Sequence, residues 1–267
     1  MIKHLDDSWK KWVKENLDNG ISKNEILKIL TEHNFDINES KKILDFDNIN
    51  FFNFDVNIFK SIPNIKKIHD TFNIYELENF INLDICEKAC ELIRKTSAKS
   101  TVGSDVKDAS YDLSRTSHTS FFLDKDVDFK VIYFIEDKIH DLLNIKLNFG
   151  EPIQGQWYKI GQEFKQHFDA FPSDKDTVAN YGNRTFTAMI YLNNVEEGGF
   201  TSFPNINISL KPEAGKLVIW QNTLNSEIIK ESSHVGEPVV KGEKFILTKW
   251  FREKEWPIYR KEKNEAN

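Results

Sequence analysis

His167 and Asp169 are separated by a single residue, and a further histidine, His234, follows later in the chain. Two histidines and one carboxylate are the ligand set of the facial triad, which suits non-haem Fe(II) and leaves coordination positions open. If His167 and Asp169 lie on a strand, their side chains share one face, because strand side chains alternate. Zinc could use the same ligands, although hydrolytic zinc sites usually also have a nearby catalytic base. The spacing therefore predicts an iron centre formed by these three residues.

A lysine, Lys244, follows His234 in an apolar part of the chain. Its ammonium group is a compact positive charge, which suits one end of a dicarboxylate such as 2-oxoglutarate. The apolar neighbours Phe245, Ile246 and Leu247 favour a buried lysine over a lysine on a surface turn. Together with the three metal ligands, Lys244 predicts an oxygenase that uses Fe(II), 2-oxoglutarate and O2.

These residues lie in a region with the pattern of short β-strands. Turn-forming residues, such as Gly198-Gly199 and Lys211-Pro212-Glu213-Ala214-Gly215, separate the strand-like runs. The runs cover residues 153–160, 164–170, 184–193, 200–203, 206–210, 216–221, 227–235 and 243–252. Many short strands at near-regular spacing predict a jelly roll, also called a double-stranded β-helix. Helical patterns at 83–96 and 126–143 make the predicted fold mainly β with flanking helices.

The N-terminal region differs from the rest, and it divides the chain into predicted domains. Residues 1–46 have helical spacing and predict a small helical domain, followed by a linker at 47–74. The catalytic domain is predicted at 75–256 and a charged tail at 257–267. The N-terminal helices could pack on the main body or dock a partner, and the sequence leaves both open. Residues 97–120 form a long polar loop, of a kind that is usually functional or mobile.

The composition excludes several classes of protein. The net charge is −6, so generic nucleic-acid binding is not expected. No apolar stretch approaches the length of a membrane span, and the first residues lack an apolar signal core. Cys86 and Cys90, the two cysteines, predict buried thiols rather than a metal site. These features together predict a cytoplasmic protein without membrane contact.

Several short motifs occur in the strand-like region. They are Tyr158-Lys159-Ile160-Gly161-Gln162, His167-x-Asp169, Tyr191-Leu192-Asn193, Gly198-Gly199-Phe200-Thr201-Ser202-Phe203-Pro204, Pro212 with Gly215, and the segment from His234 to Trp250. Together they resemble the motifs of the prolyl 4-hydroxylase branch of the 2-oxoglutarate oxygenases. The resemblance covers roughly residues 75–252 and is more specific for the branch than for the substrate.

The resemblance implies roles for residues around the cosubstrate. His167, Asp169 and His234 would hold Fe(II), and Lys244 would bind the far carboxylate of 2-oxoglutarate. Three hydroxyl-bearing residues match family positions beside the cosubstrate, and these are Tyr158, Tyr191 and Thr201. All seven of these residues are predicted site residues, and ascorbate is expected as a reductant.

The resemblance also implies a substrate. The expected reaction hydroxylates prolyl residues in a peptide or protein, with succinate and CO2 as coproducts. The residues that match substrate-side positions are Arg115, Ser117, Arg184 and Trp250, whereas Phe164 replaces a tyrosine of some relatives. Two alternatives stay open: the same chemistry on a free amino acid or small molecule, and a non-catalytic jelly-roll binding module. The complete set of three metal ligands and Lys244 argues against the binding module.

Overall fold

The chain folds into two compact units, Met1–Phe52 and Asn53–Asn267. The structure is a computed structural model, and it describes residues 3–19, 21, 23–44, 56–101, 112–122, 127–172, 175–224 and 226–257. The predicted domain boundary at residue 46 and nearly all of the predicted charged tail lie outside these residues. Among the described residues, no helix is both long enough and apolar enough to cross a bilayer.

The first unit contains three helices, α1 (Asp7–Asp18), α2 (Lys23–Glu32) and α3 (Ile37–Ile43). Asp6 caps α1, because its carboxylate accepts hydrogen bonds from the backbone amides of Ser8 and Trp9. The buried side chains of this unit form one apolar cluster, which contains Leu5, Val13, Ile26, Leu30, Phe35 and Leu44. The predicted small helical region is therefore confirmed.

The second unit is built from antiparallel sheets with three helices, α4 (Leu83–Thr96), α5 (Lys130–Leu143) and α6 (Asp176–Tyr181). Its strands are β1 (Lys66–Lys67), β2 (Ile74–Leu77), β3 (Ala98–Lys99), β4 (His118–Ser120), β5 (Gln154–Tyr158), β6 (Phe164–His167), β7 (Arg184–Tyr191), β8 (Glu197–Gly198), β9 (Thr201–Phe203), β10 (Ile208–Leu210), β11 (Leu217–Gln221), β12 (Thr223–Leu224), β13 (Glu227–Ile228), β14 (His234–Gly236), β15 (Val239–Lys241) and β16 (Lys244–Arg252).

The strands form one large and one small sheet, together with two short two-stranded pairs. The large sheet has the order β1-β2-β11-β7-β16-β5-β4-β3, and the small sheet has the order β10-β9-β14-β6. A single buried cluster contains side chains from both sheets, including Tyr191 and Trp220 from the large sheet and Phe203 from the small sheet. This arrangement confirms the predicted double-stranded β-helix with flanking helices.

Two helices follow the predicted pattern, with one different boundary. Asn82 caps α4 by accepting a hydrogen bond from the backbone amide of Ile85, and α4 buries both Cys86 and Cys90. Burial raises the pKa of the Cys86 thiol to about 11 and that of Cys90 to about 12, as expected for unreactive thiols. Helix α5 begins at Lys130 rather than at 126, because the Asp128 carboxylate accepts a hydrogen bond from the Lys130 amide.

Three sequence-based boundaries differ from the structure. The run 227–235 is interrupted by a helical turn at Lys230–Ser232, which places His234 at the start of β14. The polar loop 97–120 contains the edge strand β3 and its neighbour β4, while residues 102–111 lie outside the described ranges. In the linker 47–74, Lys66 and Lys67 pair with β2 in the large sheet, and residues 47–55 are not described.

Candidate metal centre and cosubstrate site

The three predicted metal ligands meet where β14 pairs with β6. His234 lies opposite His167 in the register of these strands, and the centroids of the two rings are 4.2 Å apart. Strand β6 ends at His167, so Asp169 lies just beyond the strand rather than within it. Its carboxylate oxygens are nevertheless each 3.8 Å from a histidine, Oδ1 from His167 Nε2 and Oδ2 from His234 Nε2. The three ligand atoms all lie within 4.8 Å of one another.

Both histidines are held with the same ring nitrogen facing the centre. Nδ1 of His167 lies 2.7 Å from the backbone oxygen of Lys165, and Nδ1 of His234 lies 2.8 Å from that of Ser232. A carbonyl oxygen can only accept, so each Nδ1 must carry the proton and donate it. In both residues Nε2 is therefore the ring nitrogen that faces Asp169 and is available to a metal.

Aromatic side chains fix the planes of the two imidazoles. Phe164 stacks on His167 with a centroid distance of 3.5 Å, and Trp220 meets His234 edge-on at 4.9 Å. Burial, followed by the neighbouring His234, lowers the pKa of His167 to about 3. Burial alone would raise the pKa of Asp169, but His234, His167 and Arg184 lower it below its ordinary value. At neutral pH the site thus offers a neutral His167 imidazole and a carboxylate.

This donor set fits Fe(II). Two imidazole nitrogens and one carboxylate oxygen on one side leave positions for other ligands, as the facial triad requires. Among the described residues that line this cavity, Asp169 is the sole carboxylate. A hydrolytic zinc site would need a second group to act as the base. The structure therefore favours His167, Asp169 and His234 as an iron site over a hydrolytic zinc site.

Lys244 begins β16 and lies in the same cavity. It is paired with Tyr158 on β5, and the Ile246–Tyr191 pair of β16 and β7 follows two residues later. The ammonium lies 3.3 Å from the Thr201 hydroxyl and 5.3 Å and 5.6 Å from the ring centroids of Tyr158 and Tyr191, all of which are uncharged. The structure thus brings together the four residues predicted for cosubstrate binding.

The surroundings of Lys244 leave its charge poorly solvated. The side chain is 1% exposed, and burial lowers its pKa to about 7, although Glu237 acts in the opposite direction. Burial also raises the pKa of Tyr158 and that of Tyr191, so both phenols stay protonated. A buried cation among hydroxyl groups is a suitable receptor for a carboxylate.

Among the predicted substrate-side residues, Arg115 and Trp250 line the cavity. Arg115 lies over the Phe164 ring at 4.9 Å and donates a hydrogen bond to the Thr119 hydroxyl. Ser117 is fully buried and bonds to the Ser100 hydroxyl at 2.8 Å. Ser117 is not among the described residues that line the cavity, and a substrate contact of Ser117 stays a prediction.

The guanidinium group of Arg184 makes its hydrogen bonds to other residues of the protein. Its Nε and one terminal nitrogen donate to the two carboxylate oxygens of Glu151 at 2.5 Å and 2.7 Å. The other terminal nitrogen donates to the backbone oxygen of Asp169 at 3.1 Å, and the guanidinium lies 3.9 Å from the Trp250 ring centroid. A substrate contact of Arg184 stays a prediction, whereas the structure shows it holding Asp169 and Trp250 in place.

Other residues at the site were not found from the sequence. Thr187 donates to Asp169, and Trp220, Met189 and Gln156 line the cavity. Strand alternation could have identified two of them, because Thr187 and Met189 lie on the same face of β7 as the predicted site residue Tyr191. Trp220 carried no such signal, since an apolar strand residue is ordinarily read as core.

Comparison with known proteins decides the family. Residues 153–252 match the 2OG-Fe(II) oxygenase superfamily. Probable prolyl 4-hydroxylase 10 of Arabidopsis thaliana is 32% identical over 200 residues, which cover 67% of this chain and 68% of that protein. The chain belongs to the prolyl 4-hydroxylase branch of the 2OG-Fe(II) oxygenase superfamily. This prolyl 4-hydroxylase-like dioxygenase uses Fe(II) and 2-oxoglutarate, for which the described site is suited.

Two further relatives support the assignment of this prolyl 4-hydroxylase-like chain. The human prolyl 4-hydroxylase subunit alpha-1 is 27% identical over 196 residues, covering 72% of this chain and 35% of that subunit. A viral collagen prolyl hydroxylase from Paramecium Bursaria Chlorella virus-1, solved as a 2OG complex, has a TM-score of 0.55 and 26% identity. The match covers 69% of this chain and 98% of the viral chain.

We expect the affinity of this prolyl 4-hydroxylase-like enzyme for 2-oxoglutarate to fall as the pH rises above about 7. The pKa of Lys244 is lowered to about 7, so its ammonium is charged below that pH and neutral above it. Because the carboxylate binds the charged form, the dissociation constant should rise about tenfold per pH unit above the pKa. Isothermal titration calorimetry of the Mn(II)-loaded protein between pH 6.5 and 8.5 measures this dependence.

The matched control is Lys244→Arg, whose guanidinium stays charged over this whole range. Its 2-oxoglutarate affinity should be weaker at low pH but nearly independent of pH. Equal pH dependence in both proteins would remove Lys244 as the titrating group.

Proposed function

We propose that this dioxygenase hydroxylates prolyl residues within a peptide or protein substrate, with succinate and CO2 as coproducts. The observation that carries the proposal is the 32% identity over 200 residues to a probable prolyl 4-hydroxylase, together with a complete metal and cosubstrate site. The same function is named for relatives from plants, animals and a virus.

Different residues of the site bind the metal and the cosubstrate. His167, Asp169 and His234 would hold Fe(II), which supplies the oxidative decarboxylation of 2-oxoglutarate and the hydroxylation of the substrate. Lys244 binds the distal carboxylate, and the buried Thr201 hydroxyl beside it adds a second polar contact. Phe164 and Trp220 pack against the two histidines and keep their imidazoles oriented toward the centre.

Arg115 supports a peptide substrate. Its guanidinium is held between the Phe164 ring and the Thr119 hydroxyl, and its Nε is buried without a hydrogen-bond partner in the described part of the chain. A buried donor without a partner is costly, so a ligand oxygen that accepts from it gains more than at an exposed site. Peptide backbone carbonyls are such acceptors, and Arg115 is placed in the cavity that contains the metal ligands.

We expect a proline-rich peptide to stimulate succinate formation from 2-oxoglutarate, with Fe(II) and ascorbate present under air. Mass spectrometry should show one added oxygen on a prolyl residue. Arg115→Met should raise the peptide KM about tenfold, as expected for loss of a hydrogen bond from a charged donor. Turnover of 2-oxoglutarate without peptide should be retained.

Lys165→Met is the matched control, because this exposed cation lies on β6 near Arg115 but outside the cavity. Its peptide KM should equal that of the wild type. Succinate formation that no peptide stimulates would contradict the prolyl proposal and favour a small-molecule substrate. No succinate from iron-loaded protein would instead contradict catalysis itself.

A further inference from the structure

A chain of two buried hydrogen bonds leads away from the metal-ligand carboxylate. The Thr187 hydroxyl lies 2.6 Å from Asp169 Oδ2, and the side-chain nitrogen of Asn222 lies 2.8 Å from the same hydroxyl oxygen. Thr187 and Asn222 have no exposed surface, and Asp169 is 5% exposed. Thr187 lies on β7, and Asn222 directly follows β11, the strand that pairs with β7, so two residues distant in sequence meet behind Asp169.

The ionised carboxylate of Asp169 fixes the direction of both hydrogen bonds. A carboxylate that binds a metal is ionised and can only accept, so the single proton of the Thr187 hydroxyl must point at Asp169. The hydroxyl oxygen then has only lone pairs left for Asn222, which must present its NH2 group rather than its oxygen. Asn222 thereby prevents the hydroxyl of Thr187 from rotating away from the carboxylate.

Asn222 is itself held firmly. Its backbone amide donates to the Thr185 oxygen at 2.7 Å, and its backbone oxygen accepts from the Ile229 amide at 2.9 Å. The main chain of Asp169 is held independently, through the hydrogen bond from Arg184 on the same β7 strand. Strand β7 therefore controls both the backbone position and the side-chain orientation of this one ligand.

We propose that Thr187 and Asn222 are positioning residues that fix the orientation of the Asp169 carboxylate for metal binding. The proposal rests on the proposed metal-dependent function. Neither residue contacts the metal or the substrate in this role, and both act through Asp169. Hydrogen-bonded partners of this type typically contribute 10–100-fold to metal affinity or activity.

Metal binding, measured without turnover, tests the proposal. The dissociation constant of Co(II) for the metal-free protein, titrated anaerobically without 2-oxoglutarate, should rise about 10–100-fold in Thr187→Val. Valine has nearly the same shape but lacks the hydroxyl, whereas Thr187→Ser retains it and should bind Co(II) almost as the wild type does. The visible spectrum of bound Co(II), which reports ligand geometry, should change in Thr187→Val and not in Thr187→Ser.

Thr185→Val is the matched control. Thr185 lies two residues earlier on β7, is buried, and donates its hydroxyl to the backbone oxygen of Phe251 at 3.1 Å rather than to Asp169. The Thr185→Val variant also loses a buried hydroxyl group from β7, so it shows whether such a loss destabilises the fold in general. Its Co(II) affinity should equal that of the wild type.

A double-mutant cycle tests the contribution of Asn222. Asn222→Leu should weaken Co(II) binding in the wild-type background but not in the Thr187→Val background, because the hydroxyl that it orients is then absent. Additive effects would show that Asn222 acts through packing and would overturn its part in the proposal. Thr187→Val that binds Co(II) as tightly as a metal-binding wild type would overturn the whole proposal. A wild type that binds no Co(II) would contradict the metal centre itself.

Discussion

Replacement of Asp169 by alanine is expected to lower 2-oxoglutarate turnover by more than about 100-fold, because loss of a direct ligand should exceed the 10–100-fold cost of losing its partners. Asp169 supplies the only carboxylate among the described residues of the cavity, and its two oxygens each face one histidine. Without it, two imidazoles remain, which hold a divalent cation far less tightly than a set that includes an anion. Succinate release and Co(II) titration both measure the effect.

Asp169→Asn serves as the shape-preserving companion to this variant. It keeps the size of the side chain and can still accept from Thr187, but it has no charge to offer a metal. Both variants should remain folded by circular dichroism, since the rest of the site is packed by aromatic rings. Retention of near wild-type succinate release by either folded variant would exclude Asp169 as a metal ligand.

Lys249→Met is expected to lower the free energy of unfolding by about 3–5 kcal/mol, the usual cost of removing one partner of a buried ion pair. Lys249 on β16 donates to Glu136 on α5 at 2.6 Å, and both side chains are completely buried. The same ammonium donates to the backbone oxygen of Glu151. Urea unfolding followed by tryptophan fluorescence measures the loss, which corresponds to a fall in Tm of roughly 10 °C for a domain of this size.

The control for Lys249→Met is the same substitution at an exposed ion pair. Lys241 pairs with Glu196 at 2.6 Å, but both side chains are largely exposed, so Lys241→Met should cost less than about 1 kcal/mol. Adding Glu136→Gln to Lys249→Met removes the buried charge that Lys249 neutralises and should recover part of the stability. Equal stabilities for Lys249→Met and Lys241→Met would show that the buried pair is not a source of stability.

Much of the site was predictable, because residue type and local sequence context are enough to identify its main residues. His-x-Asp on a strand-like run, a distant histidine and a lysine among apolar residues are all visible within short windows. The strands were also mostly predictable from alternation and turn residues, and the structure places β5, β7, β11 and β16 within the predicted runs. The fold class followed from the number and spacing of those runs.

The remaining features depend on residues that are far apart in the sequence. Arg184 could be identified as a cation, but its pairing with Glu151 depends on the approach of two segments whose distance the sequence does not give. The bond from Asn222 to Thr187 likewise exists only because β11 pairs with β7. The turn that interrupts 227–235 is held by a hydrogen bond from the Ser232 amide to the Ile229 backbone oxygen, and no alternation of residue types in this run predicts that bond.

Strand β16 has a consequence for engineering of this enzyme. All nine of its residues are buried, and it lies between β7 and β5 in the large sheet. It begins with Lys244, the cation proposed to bind 2-oxoglutarate, continues to Lys249, the buried partner of Glu136, and ends at Arg252, which bonds to Glu151. Libraries aimed at new substrates should therefore leave β16 unchanged and vary the segment around Arg115, which lines the cavity but lies outside the strands of the large sheet.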